Sequence, residues 1–195
     1  MLGVALGIGL SAASGFRAFV PLLFMSIAAR AGHLTLSPGM EWTATDAALV
    51  AFATATVLEI LAYYTPWLDN LLDTIATPAA VAAGTVVTAA VLPDLPPFMR
   101  WALALIAGGG TAGVIQGATV LLRLKSTALT GGLGNPVVAT GELIGSIILS
   151  VLSVLAPLLA LVVVAALFLL VVRKVGQVLR RRRGNNSPLT SRPTQ

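Results

Sequence analysis

The sequence predicts an all-α integral membrane protein with about six transmembrane helices, several of them broken or kinked, and an internal repeat. Three observations carry that expectation. Of 195 residues, 57% are hydrophobic and only 10% are charged, and the mean hydropathy is +0.95, well beyond what a soluble core requires. The apolar residues form long runs separated by Gly- and Pro-rich turns, and seven of the twelve basic residues are held back until Arg173 and beyond. Arg17 breaks the rule, with sixteen uncharged residues before it and twelve after it.

The first span, Leu2 to Ala31, is organised around that arginine. Arg at a helix centre costs about 2.5–3.5 kcal/mol on insertion scales, so it is normally turned toward protein or a wet cavity. Pro21 lacks the N–H that would bond the carbonyl of Arg17, so the helix is expected to kink or break between Gly15 and Pro21. Gly3, Gly7, Ser11 and Gly15 recur every fourth residue, a small-residue stripe that admits a second helix at close range. No Lys or Arg precedes the apolar run, so it reads as a retained span rather than a cleavable signal.

Gly32 to Thr45 is a loop, and Thr45-Asp46 reads as a capped helix start with an acidic first turn. The second span, Asp46 to Tyr64, ends in the interfacial cluster Tyr63-Tyr64-Thr65-Pro66-Trp67. Glu59 lies inside it and reads either as functional or as a glutamate reaching for headgroups. In Pro66 to Thr77, Asp69 and Asp73 share one helical side with Asn70 and Thr74, while Leu71, Leu72 and Ile75 take the other. That segment is amphipathic, lying on the surface, dipping in as a re-entrant piece or serving as a solvated connector.

The third span runs from Pro78 to Leu92, short for a crossing, and Pro93 to Pro97 is a turn. The fourth, Phe98 to Arg123, contains Gly108-Gly109-Gly110, which can unwind it, and a second stripe of Gly109, Gly113 and Gly117 beside Gln116. Arg123 to Asn135 reads as a polar connection. Pro136 to Val172 carries a single charge, Glu142. As one helix it would measure roughly 55 Å, against a hydrocarbon core of about 30 Å. Two spans dividing at Ser153 to Pro157 fit better. Glu142, Ser146, Ser150 and Ser153 draw a polar stripe down the first of them, and the second, Leu158 to Val172, is expected to face lipid. The chain thus divides into a transmembrane domain, 1–172, and a basic, disordered cytoplasmic tail, 173–195. Six spans would put both termini in the cytoplasm by the positive-inside rule. A five-span reading, with Pro136 to Val172 as one kinked helix, moves the N-terminus out.

Ala76 to Gly84 is similar to Gly134 to Glu142, each opening a span with proline, and Gly7 to Leu23 is more faintly similar to Gly108 to Leu122. Repeats that meet at interrupted helices point to transporter binding sites. Three stretches, Ser14-Gly15-Phe16-Arg17-Ala18-Phe19-Val20-Pro21, Pro66-Trp67-Leu68-Asp69-Asn70-Leu71-Leu72-Asp73 and Thr130-Gly131-Gly132-Leu133-Gly134-Asn135-Pro136, carry a resemblance to a bacterial membrane family catalogued as domain of unknown function 4126. The resemblance spans Leu2 to Ala156. It implies an integral membrane protein and no activity.

The residues themselves point to a small transporter or channel. Its pathway is expected to be lined by Arg17, Asp69, Asn70, Asp73, Gln116, Asn135 and Glu142, for a small ion, an anionic solute or a lipid headgroup. The alternative is an accessory membrane protein that recruits partners through helix packing and a basic tail, with Arg17 and Glu142 neutralising one another. Without cysteine and with a single histidine, His33, thiolate nucleophiles, Cys-ligated metal and His clusters within one chain are excluded. No HExxH, GxSxG or GxxxxGK[ST] is present, so no enzyme or cofactor is expected, and no metal centre is assigned, although Asp69 and Asp73 with Asn70 could hold a hard cation. The expected partners are the bilayer, anionic lipids at the tail and a second copy of the chain, not nucleic acid. The expected location is the bacterial inner membrane.

Overall fold

The computed structural model describes the backbone of residues 2–64, 66–92 and 94–184, with side chains described over these except 66–74, 175 and 178–184. Every regular element among the described residues is helical. In chain order these are α1 (Leu2–Phe16), α2 (Phe19–Arg30), a 3-10 turn (Glu41–Ala44), α3 (Asp46–Tyr63), α4 (Pro66–Val91) and α5 (Pro97–Leu103). A π-helical stretch (Ala104–Gly109) then leads into α6 (Gly110–Thr130), followed by α7 (Asn135–Leu155) and α8 (Pro157–Gly184).

Several boundaries follow from local chemistry. Thr45 caps α3, its hydroxyl accepting the N–H of Ala48 at 3.2 Å. α6 ends at Gly131, whose φ of 63° is the left-handed conformation that glycine adopts without strain. α7 stops at Leu155 and α8 starts with Pro157 at its first position, where proline's missing N–H costs nothing. The two-span reading of Pro136 to Val172 therefore holds.

Other expectations are corrected. Pro78 does not open a span but lies inside α4, which begins twelve residues earlier at Pro66. The stretch around Asp69 and Asp73 forms the first turns of that helix rather than a separate segment. α6 continues through Arg123 to Thr130, so the connection to α7 is only Gly131 to Gly134. α8 runs on through residues 173–184 as helix, so the first part of the stretch read as a disordered tail is helical, and 185–195 lie outside the described residues.

The first hydrophobic segment departs most from expectation, because it turns back. Down α1, a Cβ on Gly7 would meet Thr88 and Val91 near the end of α4, while one on Gly15 would meet Ile115 and the carbonyl of Ala112 on α6. α1 therefore starts beside the end of α4 and runs antiparallel to it. α2 returns the same way. Its last residue, Arg30, pairs with Asp46 at the start of α3 at 2.6 Å, and the following loop bonds Ser37 N–H to the carbonyl of Ala90 at 2.7 Å. Both arms thus open on the face where α4 ends, called here the proximal face. At 1.5 Å per residue the arms measure about 22 and 18 Å, each too short to cross about 30 Å of hydrocarbon. Together α1 and α2 form a re-entrant helical hairpin whose tip is Arg17-Ala18.

Five helical passes surround it: α3, α4, the α5–π–α6 unit, α7 and α8. Among the described residues, Asp46–Tyr63, Pro97–Thr130, Asn135–Leu155 and Pro157–Lys174 are long and apolar enough to cross a membrane, and α4, 26 residues long, has the length. The six apolar stretches read from the sequence are thus five passes and one hairpin. α1 is the central element, with ten consecutive or near-consecutive residues from Ala5 to Gly15 buried. Its glycine and serine stripe explains how. Ser11 bonds the carbonyl of Gly108 in the π-helical stretch, and Thr88 of α4 bonds the carbonyl of Gly7 at 3.2 Å. A Cβ on Gly108 would come within 2.5 Å of the carbonyl of Gly84, so α4 and the π stretch touch backbone to backbone. The second stripe is only partly used: Gly109 and Gly113 pack near Val81, whereas a Cβ on Gly117 would meet nothing within 4 Å.

Candidate functional site

The site is built where the hairpin turns. Pro21 falls in the first turn of α2, where it is tolerated, and the helix breaks at Arg17 and Ala18 just before it. A break inside a bundle frees backbone donors, and in hydrocarbon each must find a partner. The partner is Glu59 of α3. Its Oε1 accepts the Ala18 N–H at 2.9 Å and its Oε2 the Phe19 N–H at 3.2 Å. The carboxylate thereby caps the N-terminus of α2, where the helix dipole favours negative charge.

Arg17 is 1% exposed. Its Nη2 donates to the carbonyl of Ala139 on α7 at 2.8 Å and stands 3.7 Å from Glu142 Oε2. Its Nε and Nη1 are buried and, among the described residues, have no hydrogen-bond partner. The guanidinium carbon lies 3.8 Å from the ring centroid of Tyr63, a cation–π contact. Glu142, 4% exposed, is shared with a second arginine. Arg123 of α6 donates to it through Nε at 3.1 Å and also through Nη2, and its own guanidinium carbon lies 4.0 Å from the same Tyr63 ring. Among the described residues, two arginines and two glutamates thus meet beside one tyrosine at the tip of the hairpin.

The polar stripe on α7 continues from there toward the proximal face, against α1. Ser146 donates to the carbonyl of Ala13 at 3.0 Å, Ser153 turns back to Leu149, and Ser150 is buried with its hydroxyl unpartnered.

Of the four expected pathway residues whose side chains are described, the structure brings together two, Arg17 and Glu142. Gln116 is buried two turns before Arg123 on the same face of α6, and among the described residues no hydrogen bond joins it to the ion cluster. Asn135 stands at the α6–α7 connection, its amide donating to Thr127 Oγ1 at 3.1 Å, two turns from Glu142. The side chains of Asp69, Asn70 and Asp73 lie outside the described residues. Among the described residues no three His, Asp or Glu stand together as a metal centre would need.

Three members of the cluster were not singled out from the sequence. Glu59 was open between two roles, Tyr63 read as an interfacial aromatic, and Arg123 read as a charge beyond the membrane. A signal for the last existed. Arg123 lies seven residues before the end of α6 and Glu142 seven after the start of α7, so a tight antiparallel turn between them sets the two at one level.

Comparison with known protein families matches residues 4–177 to the family described as Domain of unknown function (DUF4126). The chain belongs to that family. The match reaches beyond Ala156, where the resemblance read from motifs ended, and takes in the apolar part of α8, so DUF4126 covers all the helical passes and the hairpin. No curated protein and no solved structure matches the chain.

Proposed function

We propose that this DUF4126 protein is a small transporter or channel of the bacterial inner membrane that handles a small ion, an anionic solute or a lipid headgroup at the tip of the re-entrant hairpin. The observation that carries the reading is a helix interrupted inside the bundle at a fully buried arginine. Irregular backbone at membrane depth is tolerated only within protein or along a wet cavity, and buried charges there commonly mark ion and substrate paths. Interrupted helices whose ends face polar groups are how secondary transporters build binding sites. Arg17 supplies the planar donor fork suited to carboxylate or phosphate. The distal ends of α6 and α8 carry Lys125, Arg173 and Lys174, which by the positive-inside rule supports a cytoplasmic distal face, with anionic lipid as the expected partner of the basic end of α8. No catalytic role is assigned.

The test is flux. The full chain reconstituted in liposomes should pass radiolabelled acetate or phosphate faster than empty liposomes, with Arg17→Ala abolishing the difference and Arg17→Lys retaining only part of it. One observation favours the accessory reading instead: Glu142 is already engaged by two arginines, as a packing ion pair would be. Folded protein that passes none of a panel of small ions and anions would select it.

A further inference from the structure

At the hairpin tip, α2 offers the N–H groups of Ala18 and Phe19, both taken by the two oxygens of Glu59. Immediately beside them in the chain, Arg17 is 1% exposed, and its Nε and Nη1 are donors with no acceptor among the described residues. Both sets of donors belong to the one break between α1 and α2. The Arg17 guanidinium stacks on Tyr63 at 3.8 Å, and Glu59 is one turn before Tyr63 on the same face of α3. The tip therefore holds more buried donors than its resident carboxylate satisfies.

We infer that the tip of the α1–α2 hairpin is a binding site for a small carboxylate anion, and that Glu59 is its internal ligand, occupying the N-terminus of α2 until a solute carboxylate displaces it. Two consecutive backbone N–H groups bonded by the two oxygens of one planar group define the shape accepted, and Arg17 Nε and Nη1 are the further donors that a free anion, not tethered to α3, can reach. The Tyr63 ring forms the wall behind the guanidinium. Glu142 is itself engaged by Arg123 and by Nη2 of Arg17, not by Nε or Nη1. This names the substrate class for the transport reading above and rests on that reading's assignment of Arg17 to ligand handling.

The experiment measures acetate binding to the purified full chain in detergent by isothermal titration. In Glu59→Gln one carboxylate oxygen becomes an NH2 that cannot accept from backbone N–H, so the resident ligand is weakened without a change of shape. Acetate should bind this variant roughly tenfold tighter than the wild type, about 1.4 kcal/mol, and Arg17→Ala added to it should remove the binding. A folded Glu59→Gln protein that binds acetate no better than the wild type would overturn the inference. Should that variant not remain folded, infrared difference spectra of the wild type with 13C-labelled acetate decide instead. The unlabelled glutamate carboxylate band should shift as acetate binds, and a band unmoved at saturation would overturn the site. Tight acetate binding by Glu59→Gln without flux in liposomes would leave the site standing and remove the transport reading. Flux of another solute with no acetate binding would do the reverse.

Discussion

Glu142 is the residue on which the buried charges depend, more than Arg17. Arg17 has the Ala139 carbonyl and the Tyr63 face as well, so its loss leaves Glu142 still bonded to Arg123. Removing the carboxylate instead takes a buried counter-charge from two guanidiniums at once. Breaking a buried pair from one side costs about 3–5 kcal/mol, and Glu142→Gln is expected at the upper end with Arg17→Ala below it. The Arg17→Ala/Glu142→Gln double mutant should lose less than the sum. Thermal unfolding in detergent, read as a double-mutant cycle, checks this, and additive losses would show the two uncoupled. At this scale the sequence was half legible. A charge centred in an apolar run announces itself, and Arg17 and Glu142 were found that way. Glu59, Tyr63 and Arg123 each sit within two turns of a helix end, where the same residue types are ordinary interfacial anchors, and only the fold reveals that another segment reaches that depth to meet them.

Between elements, the closest approach is that of α4 to the π-helical stretch. The π turn has a local cause: Gly108 and Gly109 carry no side chains to resist it, and it lets the carbonyl of Gly108 receive the hydroxyl of Ser11. Gly108→Ala would drive a methyl to within 2.5 Å of the Gly84 carbonyl. Backbone has no rotamer to yield, so the change should destabilise by about 1–3 kcal/mol. Gly117→Ala, with open space around it, should be neutral or slightly stabilising through helix propensity. Melting temperatures of the two variants test the contrast, and equal losses would contradict the packing. The small-residue stripes were legible because their period is that of the helix. Which glycines are used was not, since a stripe records where a partner can approach and not how far along it extends. The start of α4 was misread for a similar reason: proline marks a boundary only when the preceding turn is not already helical, and Pro78 follows three turns of established helix.

For the molecule as a whole, five passes and a hairpin that returns place the start of α1 and the end of α8 on opposite faces. A single cysteine at Leu2 in this cysteine-free chain should react with an impermeant maleimide from outside the cell, and one at Gly184 only after the membrane is opened. Labelling of both from the same side would exclude the hairpin. Hydropathy could not distinguish these cases, because a run of thirty apolar residues looks the same whether it crosses or turns back, and the turning point is fixed by a carboxylate forty-one positions away. The hairpin also imposes an order on assembly. α1 and α2 leave the ribosome before any of the helices that enclose them exist, and alone in lipid they would expose a charged guanidinium and two unbonded peptide groups. Neither arm is long enough to anchor itself across the bilayer. The hairpin therefore cannot seat until α3 brings Glu59 and α7 brings Glu142, so the centre of this protein waits for parts that are made after it.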